Sequence, residues 1–409
     1  MIGLLKWSCR FLASLALLAV CGPARAGEVT VRVLSLRSLH RIRILPRAEG
    51  AWIRACPACP AVPIATPLTL RAVDDSVSAD PALSVAEVPE VWGTYRVEIP
   101  DAHPEEADDP LEIRANDGEL SLTLRMPLEE YVAKVLAGES SRFRSEEALK
   151  AMAITVRTYA VRFEGRHRSQ GYDFCDSTHC QRFVWKDPPE RLRAAVEATE
   201  GELIWHEGKP AAAYYHRNCG GTTEAGRYAW SGLEAPYLVQ QADAFCQVGG
   251  GEEWRSEIRR DELAFALASA GVEVPAALGG VKVLSRTPSG RVRMLGTPGK
   301  VRWTIAGATL RRAVGRALGW NLIRSDLYEV RGEGDRLVFR GRGAGHGVGL
   351  CQDGAARMGE EGKSTEEIVS FYFPGTVPGI TAQGLAWRAL GGERVILSRP
   401  AHACYNGQK

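Results

Sequence analysis

At Pro127 the hydrophobic periodicity of the chain changes, and that change limits the folds open to it. Before it, "EVTVRVLSL" (28–36), "TYRVEIP" (94–100) and "ELSLTLRMP" (119–127) alternate apolar and polar residues, the period of a half-buried strand. After it, "PLEEYVAKVLAGE" (127–139) places Leu128, Tyr131, Val132, Val135 and Leu136 at helical spacing. Pro127 suits a first turn and Gly138 can end the helix. "SEEALKAMAITVRTYAVRFEG" (145–165) opens with Ser145 as N-cap and Glu146 and Glu147 in the first turn. Its apolar face runs through Leu149, Met152, Ala153, Val156 and Ala160, and Gly165 stops it. Strand patterns then return at 201–206, 211–221 and 336–347, and helical ones at 261–271, 307–319 and 364–375. The mixture lacks the regular strand–helix alternation of a doubly wound sheet, so the expected class is α+β. A β-rich region over 27–125 should precede an α+β core over 126–385, with a C-terminal tail over 386–409. The Pro-rich "CPACPAVPIATP" (56–67) reads as a loop, and the acidic "DAHPEEADDP" (101–110) as a solvated loop without chemistry.

The chain has 409 residues, 45% hydrophobic and 24% charged, with a net charge of +2. This is ordinary globular composition, and a near-balanced charge without long basic runs excludes nucleic acid as the expected partner. The first 26 residues read as a leader: Lys6 and Arg10, an apolar run from Phe11 to Val20, then Ala24-Arg25-Ala26. The apolar run is too short to span a bilayer. Cleavage after Ala26 is the reading; a lipoprotein signal on Cys21 fits less well, because Val20 is a poor residue before that cysteine. The mature chain is therefore expected outside the cytoplasm, in periplasm, cell wall or medium, with no membrane span. It would carry cysteines 56, 59, 175, 180, 219, 246, 351 and 404. Disulfides are plausible there, Cys219–Cys246 among them, although connectivity does not follow from sequence.

Three features invite chemistry. "RGRGAGHGVGLCQDGAARMG" (340–359) sets Gly341, Gly343, Gly345, Gly347, Gly349 and Gly354 around His346. The glycines alternate, no acidic residue ends a following strand, and no Lys-Ser or Lys-Thr is present, which argues against a dinucleotide loop or a P-loop. The plain reading is positive φ and close backbone approach, with His346 as a hydrogen-bonding group. Second, "HRSQGYDFCDSTHCQ" (167–181) offers His167, Cys175, His179 and Cys180. The composition suits Zn²⁺, but the C-x₄-C spacing is not a standard finger, and the adjacent pair His179-Cys180 seldom ligates one ion. A Cys175–Cys180 disulfide is the rival reading. Third, Lys150 and Arg157 lie two turns apart on one face of the second helix and can both point at a site near the preceding loop.

Four blocks, in order, resemble one known family. They are "MPLEEYVAKVLAGESSRFRSEEALKAMAITVRTYAV" (126–161), "YDFCDSTHCQRF" (172–183), "YYHRNCGGTTEAGRYAW" (214–230) and "GRGAGHGVGLCQDGAARMGEEGKSTEEIVSFYFPGT" (341–376). The chain is similar in all four to the stage II sporulation protein D, or amidase-enhancer, family. The resemblance implies a peptidoglycan lytic transglycosylase. Such an enzyme cleaves glycan strands between N-acetylmuramic acid and N-acetylglucosamine and leaves a 1,6-anhydro ring. A second implied role is a non-catalytic wall-binding enhancer of an N-acetylmuramoyl-L-alanine amidase. Apart from the resemblance, a metal-dependent hydrolase centred on the Cys/His insert is a competing reading.

On this resemblance Glu139, in "LAGESS", is the catalytic acid, and Lys150, Arg157, His346 and Gln352 are substrate-contact candidates. One carboxyl group suffices, because it can protonate the leaving oxygen and then take the proton of the sugar's own C6 hydroxyl. Its pKa should be raised by partial burial. Tyr159 reads as packing. The resemblance also implies zinc on the Cys/His insert, shaping the loop and not activating water. The chain departs from the family pattern at Ser140, Met152, Cys351 and Asp353, and pairing of Cys351 with Cys404 is one further expectation.

Overall fold

The structure, a computed structural model, describes residues 27–380 except 57, 81–82, 87–88, 231, 248–251, 275–277, 279 and 298–302. The expected leader with Cys21, the expected tail over 386–409 and Cys404 lie outside the described residues. Among the described residues, no helix is long and apolar enough to cross a membrane. Helices and strands mix as the α+β reading expects.

The N-terminal alternation does form a large, mainly antiparallel sheet. Glu28–Val33 pairs with Glu119–Pro127, which pairs in turn with Leu111–Asn116. Val29, Val31 and Val33 point inward, as a period of two requires. The sheet's longest strand, Arg41–Arg54, was hidden in sequence by Pro46 and Gly50. Its pairing with Glu90–Glu98 shifts register between Pro46 and Ala51, a bulge that accommodates both residues.

Two loop expectations are corrected. In the Pro-rich segment Cys56 and Cys59 form a disulfide, and Val62–Pro63 pairs with the long strand. The acidic segment contributes a short strand, Glu105–Ala107. Within the same segment Asp109 is buried 3.4 Å from the ammonium of Lys134, itself 1% exposed and donating to the Trp185 carbonyl at 2.9 Å. Burial raises the Asp109 carboxyl to about 6.

The two predicted helices follow directly, at Leu128–Glu139 and Glu146–Phe163. Pro127 and Ser145 stand at their N-cap positions, although Ser145 makes no side-chain cap bond. Glu190–Glu197 packs against both, and Gln352–Glu360 and Thr365–Tyr372 pack on the second. Ser364 and Glu367 close a reciprocal capping box on the last of these. The sheet and these helices share one hydrophobic core, running from Val29 through Tyr131, Leu149 and Ile154 to Phe373. The β-rich region is thus one wall of the same domain.

A second core lies within residues 254–339, built from Trp254, Ile258, Leu263, Leu310, Val314 and Phe339 among others. Two small antiparallel sheets and the helices Arg260–Ser269 and Gly307–Leu318 surround it. This module interrupts the main domain between Tyr215–His216 and the glycine loop, which leaves it at the end of strand Arg336–Arg342.

Candidate active site

Glu139 is the last residue of the first core helix, which ends where the Ser140 N–H bonds to the Leu136 carbonyl. Its carboxyl is half-buried and takes hydrogen bonds from three separate segments. The Arg182 backbone N–H donates to Oε1 at 3.0 Å, and the Tyr215 hydroxyl reaches the same oxygen at 3.5 Å. Gln352 Nε2 donates to Oε2 at 3.1 Å. Burial raises the carboxyl above its ordinary range; these donors and the Arg182 guanidinium charge pull the other way and do not cancel it.

Each donor has a local reason to be there. Gly138 lets the 182 segment come close, since a Cβ at that position would collide with the Arg182 carbonyl. Tyr215 sits on a two-residue strand parallel to Leu350–Cys351, with Tyr215 opposite Leu350. That pairing needs Gly349, whose φ is +73° and whose Cβ would strike the Tyr214 carbonyl. Gln352, 6% exposed, opens helix Gln352–Glu360, and the N-cap Cys351 sulfur accepts the Gly354 N–H. Gln181 accepts the Tyr131 hydroxyl at 3.1 Å and so fixes the segment next to Arg182.

Of the predicted acid and substrate-contact residues, the structure joins Glu139 to Gln352 and pairs Arg157 and Lys150 with other groups. Arg157 is fully buried. Its Nε and Nη2 clamp the Glu129 carboxylate at 2.7–3.0 Å, and its other donors reach Thr199 and the carbonyls of Val196 and Glu202. This guanidinium ties three helical segments together and has no surface to offer a glycan, which corrects the expectation of a substrate contact. Lys150, whose side chain is 29% exposed, is engaged with a neighbour on its own helix. Its ammonium lies 2.8 Å from Glu147, whose other oxygen accepts the N–H and hydroxyl of Thr365. These contacts hold Glu147 down at about 2. The two basic residues share a helix face, but that face packs toward Glu129 at one end and Thr365 at the other.

His346 stands on the glycine loop beside Trp230, His216 and Tyr214, with ring centroids 5.0, 5.6 and 6.2 Å away. Its Nδ1 accepts the Val348 N–H at 3.0 Å. Burial keeps it neutral, and it also holds His216 down at about 3. Tyr159 packs against Phe163, Tyr214 and Tyr215 behind the site. Asp353 bonds the Asn218 amide at 2.7 Å and lies 3.5 Å from Arg142. Sequence reasoning missed Tyr215, Gln181 and Arg182. Their only signal was position, Tyr215 beside a histidine in "YYH" and the other two immediately after Cys180.

The Cys/His insert gathers its four candidates. The ligand atoms of His167, Cys175, His179 and Cys180 all lie within 4.8 Å of one another. The two sulfurs stand 3.4 Å apart, with Cys180 Sγ 3.3 Å from His167 Nε2 and both sulfurs 3.7 Å from His179 Nδ1. Ligands about 2.3 Å from one zinc would stand about 3.8 Å apart on a tetrahedron edge. Both cysteines are free thiols, which argues against the disulfide alternative. The other nitrogen of His167 meets Gln170 Oε1 at 2.8 Å, which turns Nε2 toward the cluster, a usual outer-shell arrangement. The adjacent His179 and Cys180 both reach the centre, so adjacency is no obstacle here. The donor set fits zinc. Phe174–Cys175 also pairs in parallel with Glu28–Val33, which fastens the insert to the main sheet.

The pattern of the stage II sporulation protein family matches residues 116–206, the stretch that holds Glu139 and the Cys/His cluster. Over this stretch and beyond it the chain is similar to the stage II sporulation protein D and amidase-enhancer proteins. It is 28% identical over 268 residues to stage II sporulation protein D of Bacillus subtilis, covering 61% of this chain and 74% of that protein. An uncharacterised protein of Brachyspira hyodysenteriae is 28% identical over 250 residues, covering 61% of this chain and 65% of that one. The amidase enhancer of Bacillus subtilis is 24% identical over 295 residues, 59% of this chain and 39% of the enhancer. The chain therefore spans well under half of the enhancer's length.

Proposed function

We propose that the protein is a peptidoglycan lytic transglycosylase that uses Glu139 as its single acid and base. The observation that carries this reading is the electrostatic setting of Glu139. Its carboxyl is raised by burial, and it accepts hydrogen bonds from the Gln352 amide, the Arg182 N–H and the Tyr215 hydroxyl, with no carboxylate among those partners. A hydrolase of the two-carboxylate kind needs a partner acid at a defined separation; intramolecular ring closure does not. Protonated Glu139 gives its proton to the glycosidic oxygen as the bond to C1 breaks. The resulting carboxylate then takes the proton of the C6 hydroxyl while that oxygen closes on C1, and Glu139 returns to its starting state. Between the two transfers, the Gln352 amide, the Arg182 N–H and the Tyr215 hydroxyl stabilise the ionised form. His167, Cys175, His179 and Cys180 would hold a zinc ion whose chemistry is structural, an anchor for the turn that leads into Gln181 and Arg182.

The natural partner on this reading is the glycan strand, and the leader supports action outside the cytoplasm. The likeness to an amidase enhancer supports a cell-wall amidase as a protein partner. Digestion of purified glycan strands, with and without stem peptides, followed by mass analysis of the ends, is the test. Wild type should produce anhydro ends and Glu139→Gln none. Folded wild type that leaves the strands intact overturns the enzyme reading in favour of a wall-binding enhancer. Cleavage that survives Glu139→Gln overturns the residue assignment.

A further inference from the structure

A second cluster of metal-ligating side chains lies behind the glycine loop, apart from the Cys/His insert. Cys219, Asp243, Cys246 and Cys351 bring their ligand atoms within 4.8 Å of one another. All four side chains are buried, Cys219, Asp243 and Cys351 completely. They arrive from three places in the chain: the turn after Tyr215–His216, the short helix Ala244–Gln247 with the residue before it, and the strand that ends in Cys351. We propose that these four residues form a thiolate-rich tetrahedral site for a zinc-type divalent cation.

Three observations favour a cation over a disulfide. First, the donors number three sulfurs and a carboxylate. A disulfide would consume two sulfurs and leave a third buried beside an acid for which it has no use. In the same structure Cys56 and Cys59 are bonded, whereas Cys219, Cys246 and Cys351 are free thiols, so the pairing of Cys219 with Cys246 expected from sequence is not formed. Second, backbone N–H groups point at the Cys351 sulfur, as a thiolate requires. The Cys219 N–H meets Cys351 Sγ at 3.2 Å and the Gly354 N–H meets it at 3.5 Å. Third, the Asp243 carboxylate is oriented as a ligand would be. Oδ1 accepts the Cys246 N–H at 3.0 Å, and Oδ2 takes the Tyr372 hydroxyl at 2.9 Å while lying 3.3 Å from Cys219 Sγ. The buried cation nearby, Arg291, donates from its two Nη atoms to the carbonyls of Cys219 and Thr222 and to the Ser289 hydroxyl, and none of these bonds goes to the four donor atoms. A buried carboxylate among ionisable thiols is costly without an opposite charge, and a divalent ion supplies it. Binding releases the thiol protons and forms three metal–sulfur bonds and one metal–oxygen bond.

The site's place gives it a consequence. Cys351 immediately precedes Gln352, so the ion would lock the N-terminus of the helix that presents the Gln352 amide to Glu139. Cys351 is one of the positions at which this chain departs from the family pattern, so the site would belong to chains that carry all three cysteines.

Metal content of the full chain, purified without reductant or chelator, is the test, with native mass spectrometry to count ions. Wild type should carry two zinc equivalents, Cys175→Ser one, and Cys175→Ser combined with Cys246→Ser none. Loading the Cys175→Ser chain with Co²⁺ should give a thiolate-to-metal charge-transfer band, which Asp243→Asn keeps at weaker affinity and Cys246→Ser abolishes. A Cys175→Ser chain that binds no metal overturns the proposal. So does peptide mapping of unreduced wild type that finds Cys219 joined to Cys246 or Cys351, a result that needs no variant to fold.

Discussion

Replacing Arg157 with methionine separates a structural role from a catalytic one. The family resemblance places Arg157 at the glycan; the structure buries it wholly, with its guanidinium on Glu129, Thr199 and two carbonyls. The methionine side chain keeps much of the stem's volume but leaves the Glu129 carboxylate without this partner. Breaking a buried pair from one side costs roughly 3–5 kcal/mol. The Glu129 side chain is 27% exposed and gains water, so the lower end, about 3 kcal/mol, applies. For a domain of this size that lowers Tm by roughly 6–12 °C. Thermal denaturation followed by circular dichroism reads this directly. Release of anhydro ends, assayed well below the melting transition and normalised to folded protein, should match wild type. A variant that melts like wild type yet loses cleavage, or that raises KM for glycan strands, refutes the structural assignment.

Gly138→Ala should destabilise the protein by about 1–3 kcal/mol, because the new methyl collides with the Arg182 carbonyl; an unchanged Tm refutes the close-approach argument. Glu139 sets two pH dependences. Because its folded pKa is raised, the folded state holds a proton that the unfolded chain has lost. Its contribution to stability is therefore full below the ordinary glutamate range and lost as pH rises through the raised value. Glu139→Gln should remove that slope and melt no lower than wild type at neutral pH, while losing roughly 10²–10⁴-fold in cleavage. Cleavage by wild type should decline on the alkaline side as the acid ionises, and Arg182→Ala, which removes a charge favouring the carboxylate, should move that decline to higher pH. Cys175→Ser should lose one zinc equivalent and weaken cleavage through Gln181 and Arg182; retention of all bound metal refutes the Cys/His site.

What the sequence made legible was what local periodicity and chemistry encode. The two core helices, the strands at 28–36 and 119–127, and the capped helix after Ser364 follow from alternation, helical spacing and capping residues. The strand Arg41–Arg54 did not, because Pro46 and Gly50 imitate a loop and only pairing on both edges makes the bulged strand worthwhile. Helix spacing placed Lys150 and Arg157 on one face, but spacing does not say what that face meets. Glu129 lies in the preceding helix and Thr365 far downstream, and both are partners that only the fold supplies. Tyr215 and the Arg182 N–H were illegible for the same reason. A backbone donor carries no residue signature, and a tyrosine in a short mixed run looks like any edge residue. The Cys/His cluster showed its composition but not its geometry, because adjacency of His179 and Cys180 argues against ligation until a tight turn is seen to bring both inward.

The Glu139–Gln352 contact joins residues 213 positions apart, with a whole second core encoded between them. Making such a contact carries the loop-closure cost of the long span between its ends. The acid consequently has its full set of donors only when almost all of the described chain is in place. A chain emerging N-terminus first carries Glu139 early but in an incomplete setting, and any fragment ending before the glycine loop lacks the Gln352 arm altogether. The proposed acid is therefore complete only when the two ends of this long span have met.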